Sequence, residues 1–180
     1  MASLDNLNTI FANYYDGFDL SKLLSDDSIE YSKIQDLVNE KITKLESDYG
    51  MINDPKNELF NMIPSSTKIS FLSYINDLKQ INKNKDKESF KNVYDSFYKS
   101  YFENYNKNIE SLVVVFEEQL VKGMLNEEIS FDKAMEYISK CNLPKDYIER
   151  VTTRVKKINE SIYGKLHEVS NVNAAFTQCH

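Results

Sequence analysis

Hydrophobic residues recur at steps of 3 or 4 positions through the middle of the chain, between Asp86 and Gly123. The stripe consists of Phe90, Val93, Phe97, Tyr101, Tyr105, Ile109, Leu112, Phe116 and Leu120. This spacing follows one face of an α-helix, and neither proline nor glycine interrupts it before Gly123. At about 1.5 Å per residue, a continuous helix over this stretch is about 55 Å long. We therefore predict one long central helix around which the rest of the chain is arranged.

The two halves of this stretch differ in composition. The first half carries a ring of aromatic residues, namely Phe90, Tyr94, Phe97, Tyr98, Tyr101, Phe102 and Tyr105. The second half contains the run Leu112-Val113-Val114-Val115-Phe116, which is apolar on nearly all sides of a helix and therefore typical of a buried one. We place residues 109–121 in the core and the tyrosine-rich half nearer its edge, where a wet hydroxyl and an apolar ring both suit the boundary.

Shorter periodic segments on either side predict further helices. They are residues 3–15, residues 28–49 with Gly50 as the C-terminal stop, a short helix between Pro55 and Pro64, a helix from Ser65 with Ile69, Leu72, Ile75 and Leu78 facing inward, a short helix Phe131–Cys141 capped by Ser130, and a last long helix over 144–169. The fold class expected from these segments is all-α, an irregular helical bundle of about six or seven helices around one long central helix.

The last predicted helix has the most regular hydrophobic spacing. Its apolar positions are Ile148, Val151, Val155, Ile158, Ile162, Leu166 and Val169, with steps that approach a coiled-coil seam. A bundle helix packed within its own chain is the simpler interpretation, and an intermolecular coil is the alternative. Residues 1–169 are predicted to form a single helical domain, and the polar, aperiodic segment 170–180 a flexible tail.

Composition limits the possible environments and partners. The net charge is −6, and only Arg150 and Arg154 are arginines, so the chain as a whole is a poor binder of phosphate backbones. The apolar runs are far shorter than the roughly 20 residues that cross a bilayer, so no membrane insertion is expected. The two cysteines, Cys141 and Cys179, make no disulfide framework, which favours a reducing intracellular compartment or a virion component assembled there.

The sequence shows no constellation of residues that carries catalytic or metal chemistry. The two histidines, His167 and His180, have no cysteine or histidine at ligand spacing, and the four glycines are scattered singly, so that phosphate-binding loops are not expected. We predict no catalytic, cofactor-binding or metal-binding residues and no cofactor. A small enzyme with a site assembled from scattered acids and tyrosines is the least favoured hypothesis.

A basic face on the last helix supports a different hypothesis. Arg150, Arg154, Lys156 and Lys157 could contact phosphates, which would make the chain a nucleic-acid-associated helical regulator. Acidic residues such as Asp146, Glu149 and Glu160 are interleaved with these cations and dilute their field. A mixed, solvated helix face is therefore the simpler interpretation.

The function predicted from the sequence is a non-catalytic helical protein–protein interaction or assembly subunit, whose partner is another protein or a second copy of the chain. Two observations motivate this prediction. The central helix carries more aromatic residues, and the last helix a more regular heptad spacing, than a core requires, and the sequence contains no catalytic or metal-binding motif. The candidate partner-binding residues are Tyr94, Tyr98, Tyr101, Phe102 and Tyr105 on the central helix, with Val155 and Ile162 on the last one. The bias towards Asn, Lys, Ile and Tyr is compatible with a structural component of a phage or viral particle or of another multiprotein complex.

Overall fold

This computed structural model describes residues 1–14 and 18–178 of the chain, apart from the side chains of residue 105 and residues 165–178. The described residues form the α-helices α1 (Ala2–Tyr14), α2 (Ser21–Ser25), α3 (Tyr31–Ile52), α4 (Ser65–Ile81), α5 (Lys87–Leu125), α6 (Phe131–Lys140) and α7 (Lys145–Gln178), and a 3₁₀ turn at Glu58–Phe60. No strand occurs among them, so the predicted all-α bundle is confirmed.

Helix α5 is the central element, as the hydrophobic stripe predicts. Asp86 caps its N-terminus, because the carboxylate accepts a hydrogen bond from the backbone N–H of Ser89 at 2.8 Å. Helices α1 and α4 each pack along α5 and run antiparallel to it. Helix α7 packs along another side of α5. The ring of Phe116 meets Phe11 of α1 edge to face at 5.5 Å, and Tyr101 stacks on Tyr74 of α4 at 4.5 Å.

Helix α1 is inserted into the core. Its apolar residues Leu4, Leu7, Ile10, Phe11 and Tyr14 are all fully buried. Two polar contacts fix its register against α5, because Ser3 donates to the side-chain oxygen of Gln119 at 3.2 Å and Asn108 donates to the hydroxyl of Tyr14 at 3.1 Å. Burying Ser3, Gln119 and Asn108 is tolerated because each is hydrogen-bonded.

Helices α3 and α4 pack against each other, and the region around them differs from the predictions. Helix α3 begins at Tyr31 rather than at residue 28. Helix α3 continues through Gly50 to Ile52, and Asn53 ends it by donating its N–H to the carbonyl of Tyr49 at 3.0 Å. The prediction that Gly50 terminates this helix is therefore wrong. The predicted helix before Pro64 is only the 3₁₀ turn Glu58–Phe60, started by the side chain of Asn57, which accepts from the N–H of Leu59 at 2.9 Å.

Three hydrophobic residues that the periodicity assigns to buried faces lie at the surface. Ile69 and Leu72 of α4 are 69% and 38% exposed, and Val93 of α5 is 44% exposed. The buried face of α4 is formed instead by Thr67, Phe71, Tyr74, Ile75, Leu78 and Ile81. This face is rotated by about one residue from the predicted one, because the rings of Phe71 and Tyr74 point into the core in place of Ile69 and Leu72.

Helix α7 runs parallel to α5 after the short return through α6. Arg150 contacts Glu110 and Arg154 contacts Glu117, so both pairs advance in the same direction along the two helices. By this register, α7 continues past the end of α5. The segment 170–178, predicted to be a flexible tail, has helical backbone, while residues 179–180 lie outside the described residues. Its flexibility stays a prediction.

The C-terminus of α5 holds a non-glycine residue in a left-handed conformation. Glu127 has a φ of 59°, and its N–H donates to the carbonyl of Met124 at 3.2 Å, while the N–H of Glu128 donates to that of Gly123 at 2.8 Å. This is a Schellman motif, in which glycine is the preferred residue at the position of Glu127.

We expect Glu127→Gly to stabilise the fold by about 0.5–1 kcal/mol, because glycine adopts a positive φ without the steric cost of a Cβ atom. Urea denaturation of the variant and of the wild type measures the difference. The matched control is Glu128→Gly at the next residue, whose φ is not positive, and which should leave stability unchanged or lower it. Equal effects of both substitutions would contradict the assignment of strain to Glu127.

Candidate interaction surface

The tyrosine-rich half of α5 is divided between the core and the surface. Tyr94 and Tyr101 are buried, and their hydroxyls are satisfied by distant parts of the chain. Tyr94 donates to the carboxylate of Asp19 at 2.9 Å and accepts from the N–H of Leu20 at 2.8 Å, while Tyr101 donates to the carbonyl of Tyr14 at 3.1 Å. Burial raises the pKa of Tyr94, so its hydroxyl stays protonated and able to donate. These two residues thus tie Tyr14 of α1, and Asp19 and Leu20 before α2, to α5.

Tyr98 and Phe102 are the accessible members of the predicted aromatic surface. Tyr98 is half-buried, stacks on Tyr94 at 5.6 Å and meets Phe102 edge to face at 4.7 Å. Phe102 is 41% exposed. The side chain of Tyr105, the fifth predicted residue on this helix, lies outside the described ones. Among the side chains that the structure describes, the accessible aromatic residues of this group are the pair Tyr98 and Phe102.

The predicted contact residues of α7 are turned towards α5. Val155 is fully buried, as is Val151 one turn earlier, and Ile162 is half-buried against the core. Within the described residues, this part of the heptad pattern is therefore used inside the chain, as a bundle helix. The later positions of the pattern, Leu166 and Val169, belong to the segment whose side chains are not described.

Of the predicted phosphate-contacting residues, the two arginines form ion pairs within the chain and the two lysines are exposed. The guanidinium of Arg150 donates to both carboxylate oxygens of Glu110 at 3.1 Å and lies 5.3 Å from the ring centroid of Tyr147. Arg154 is 3.8 Å from the carboxylate of Glu117. Lys156 and Lys157 are exposed. Since the two arginines face glutamates of α5, their charge is largely compensated, which weakens the support for a phosphate-binding face.

The described residues contain little that resembles a reactive centre. They include no group of three or more His, Cys, Asp or Glu side chains that could hold a metal ion. Cys141 is buried, its thiol donates to the carbonyl of Ile138 at 3.0 Å, and burial raises its pKa to about 11, so it is a poor nucleophile. The side chains of His167, Cys179 and His180 are not described.

Two grooves border the side of α5 that faces away from α1. The α4–α5 groove has a volume of about 400 Å³ and is lined by Asp77, Gln80, Ile81, Asn84, Val93, Ser96, Phe97 and Ser100. The α5–α7 groove has a volume of about 390 Å³ and is lined by Val114, Glu117, Glu118, Val121, Lys122, Leu125, Asn126 and Arg154. Each combines apolar side chains of α5 with polar residues along its rim.

Both grooves lie on the same side of α5. Val93 and Val114 are three heptads apart in sequence, which places them within about 60° of each other around a straight α-helix. Val93, Val114 and Leu125 are 44%, 43% and 57% exposed, although they lie on the central helix of the fold. We call this side, from Val93 to Leu125, the outer face of α5.

The outer face was not predicted from the sequence, because the run Leu112–Phe116 is apolar on nearly all sides of a helix and was expected to be buried throughout. The structure buries Leu112, Val113, Val115 and Phe116 but exposes Val114. A second heptad series, through Val93, Ser100, Lys107, Val114 and Val121, was the available signal. It runs beside the core stripe and contains small and apolar residues at most of its positions, where a solvated helix face usually carries charges.

A membrane contact by a spanning helix has no support in this chain, since no described helix is both long and apolar enough to cross a bilayer. A comparison with protein-family models, with curated proteins and with solved structures gave no significant match to any of them.

Proposed function

We propose that this chain is a non-catalytic interaction or assembly subunit that binds another protein chain on the outer face of α5. The observation that carries the proposal is the uncovered side of a helix that is otherwise the centre of the core. Valine and leucine side chains on that side remain in water, flanked by two grooves. Burying them against a partner is favourable by about 25 cal/mol per Å² of apolar surface removed from water.

The chemistry of the rim also suits a protein partner. Around the α5–α7 groove, Glu117, Glu118, Lys122 and Arg154 place both signs of charge beside the apolar residues. An apolar centre with a polar, charged rim is the usual anatomy of a protein–protein interface. A surface that binds nucleic acid would carry mainly positive charge. The alternative function predicted from the sequence, nucleic-acid binding through Arg150–Lys157, has less support, because both arginines are paired with glutamates.

The test is a double charge substitution, Val114→Glu with Leu125→Glu. Since both side chains are solvent-exposed on a helix, we expect the free energy of unfolding to change by less than about 1 kcal/mol. Binding should be lost, because two carboxylates would be buried at the centre of the interface. Immobilised wild type and variant are compared for the proteins each retains from extract of the source organism, including copies of the chain itself.

The matched control is Ile69→Glu, which charges an aliphatic residue on α4 that is 69% exposed and lies away from the outer face of α5. The control should retain the same proteins as the wild type. Identical retention by the Val114/Leu125 variant would place the binding surface elsewhere. No retention by the wild type, combined with a monomeric mass, would remove the support for an interaction role.

A further inference from the structure

The α4–α5 groove differs from the α5–α7 groove in its charge. Asp77 is the one charged residue among the described side chains that line it, whereas charged residues of both signs line the α5–α7 groove. The nearby lysines of α4, Lys79 and Lys83, line a separate groove between α3 and α4. The described lining of the α4–α5 groove therefore carries a negative charge without a positive charge to balance it.

The carboxylate of Asp77 has neither a salt bridge nor a hydrogen bond to any residue that the structure describes. Burial raises the pKa of Asp77, and no neighbouring cation or hydrogen-bond donor opposes this effect. A partner that covers the groove removes more water from this carboxylate, which is costly unless the partner supplies a compensating charge. An occupant of the groove must therefore bring a cation to Asp77.

The other residues of the groove favour an apolar helix beside that cation. Val93 is 44% exposed, Phe97 is half-buried and Ile81 is buried, so apolar surface continues from the core to water. Ser96 and Ser100 are small and exposed on successive turns of α5, which allows a neighbouring helix to approach closely. An amphipathic helix binds in a groove of this kind through apolar side chains spaced by three or four residues.

We propose that the α4–α5 groove binds a short basic amphipathic helix of a partner protein, with apolar side chains on Val93 and Phe97 and a lysine or arginine on Asp77. This assignment rests on the proposed interaction role and adds the chemistry of the partner. From Val93 to Ser100 the groove spans about two turns, or roughly 10 Å, of α5. Binding through it is therefore weak, and salt weakens it further by screening the ion pair.

The charge of the groove disfavours other classes of partner. Nucleic acids and anionic membrane surfaces are negatively charged, and Asp77 repels them. An acidic peptide would place its carboxylates beside that of Asp77, which is also unfavourable. The α5–α7 groove, with charges of both signs, makes no such selection.

Two synthetic peptides test the selection of charge. Both are short, end-capped helices of alanine and glutamine with a pair of leucines one turn apart, and they carry either a lysine or a glutamate beside the leucines. Fluorescence anisotropy at low salt measures the binding of each labelled peptide to the full-length chain. The lysine peptide should bind about fivefold more tightly, because attraction is replaced by repulsion in the glutamate peptide. Equal binding of the two, or no binding of the lysine peptide at millimolar concentration, overturns the proposal.

Substitutions at Asp77 assign the selection to this carboxylate. Asp77→Asn should weaken the binding of the lysine peptide about threefold, and Asp77→Lys should reverse the preference between the two peptides. The matched control is Asp95→Lys, which makes the same change at an exposed aspartate of α5 that does not line the groove. The control should keep the wild-type preference. An unchanged preference in Asp77→Lys, or the same reversal in Asp95→Lys, overturns the role of Asp77.

Two measurements identify where the peptide binds and exclude a second copy as the occupant. Backbone amide NMR shifts caused by the lysine peptide should concentrate in residues 77–84 and 93–100, and shifts concentrated in residues 114–125 would overturn the proposal. Light scattering of the chain without peptide should give 21.0 kDa at the same concentrations. A doubled mass that Asp77→Lys abolishes would make a second copy the occupant and would also overturn the proposal.

The failure of this inference is distinguishable from the failure of the proposed function. Equal binding of the two peptides removes the basic helix as the occupant. The interaction role then still stands if the Val114/Leu125 variant loses a protein that the wild type and Ile69→Glu retain. If the wild type retains no protein and is monomeric, the interaction role loses its support, whichever peptide binds more tightly.

Discussion

Replacing Phe116 with alanine is expected to destabilise the fold by about 3–5 kcal/mol, the range typical of a fully buried phenylalanine. Phe116 is completely buried, and its ring meets Phe11 of α1 edge to face at 5.5 Å. The substitution therefore removes a large apolar side chain from the junction of α1 and α5, together with the aromatic contact. The cavity left there cannot collapse easily, because α1 is buried along its whole inner side.

The matched control for Phe116→Ala is Val114→Ala, two positions earlier on the same helix. Val114 is 43% exposed, so its truncation should cost less than about 1 kcal/mol. Chemical denaturation of both variants at low protein concentration gives the comparison without a contribution from self-association. Similar losses for the two variants would mean that the assignment of core and outer face on α5 is wrong.

The position of Phe116 was predictable from the sequence, because it follows from periodicity alone. A stripe with steps of three and four residues identifies the inner face of a long helix, and the predicted cap Ser130 marks where α6 begins. The side chain of Ser130 accepts from the N–H of Lys133 at 3.1 Å, as its position before Phe131 predicts. Long helices with uninterrupted stripes need little tertiary information.

Two glycines show that a glycine is an unreliable sign of where a helix ends. Gly50 fits the pattern of a helix stop, yet α3 passes through it, and tertiary packing of Ile52 extends the helix. Gly123 also lies inside a helix, where a Cβ atom would come within 2.7 Å of the sulfur of Met1 and 3.0 Å of Ile129. This glycine permits close approach rather than ending α5. Sequence shows that a glycine is present but not which of these uses it serves.

The candidate surface was less predictable because it depends on what covers each side of α5. The tyrosines looked alike in sequence, but Tyr94 and Tyr101 reach acceptors 75 and 87 positions away, whereas Phe102 stays exposed. Only the positions of α1, α4 and α7 around α5 decide which residues are left in water. The exposure of Val93 and Val114 follows from that arrangement and not from their own neighbours in the sequence.

The second large change in stability is expected from substituting an ionisable residue that is buried on α3. Asp48 and Lys41 are 3% and 2% exposed, although both are ionisable. The side chain of Asn13 donates to the carboxylate of Asp48 at 3.0 Å, and the ammonium of Lys41 donates to the carbonyl of the same asparagine. Lys41 also lies 5.6 Å from the ring centroid of Phe18. These contacts join α3 to the end of α1.

Burial raises the pKa of Asp48 from 3.8 to about 6, while Asn13 and Lys41 act in the opposite direction. The folded state therefore holds this proton more tightly than the unfolded chain does. The stability that this protonation supplies is fully present below about pH 4 and is lost as the pH rises through about 6. At neutral pH the carboxylate remains buried at a net cost, which its two polar contacts reduce.

We expect Asp48→Asn to remove this pH dependence. Asparagine resembles the protonated acid in shape and can still accept from Asn13. Relative to the wild type, the variant should gain about 2 kcal/mol in free energy of unfolding between pH 4 and pH 7.5. Urea denaturation at several pH values measures this gain. A difference that stays constant over the whole range would show that Asp48 titrates alike in the folded and unfolded chains.

Lys41→Met provides an independent check on the same group. Methionine fills a similar volume but removes the charge that lowers the pKa of Asp48, so the pKa should rise further. The pH at which the carboxylate loses its proton, followed by NMR of its side-chain carbon, should move up from about 6, even if overall stability changes. A downward movement would mean that Lys41 does not act on Asp48 as a neighbouring positive charge. The two substitutions thus separate the burial of the carboxylate, which raises its pKa, from the cation that opposes this effect.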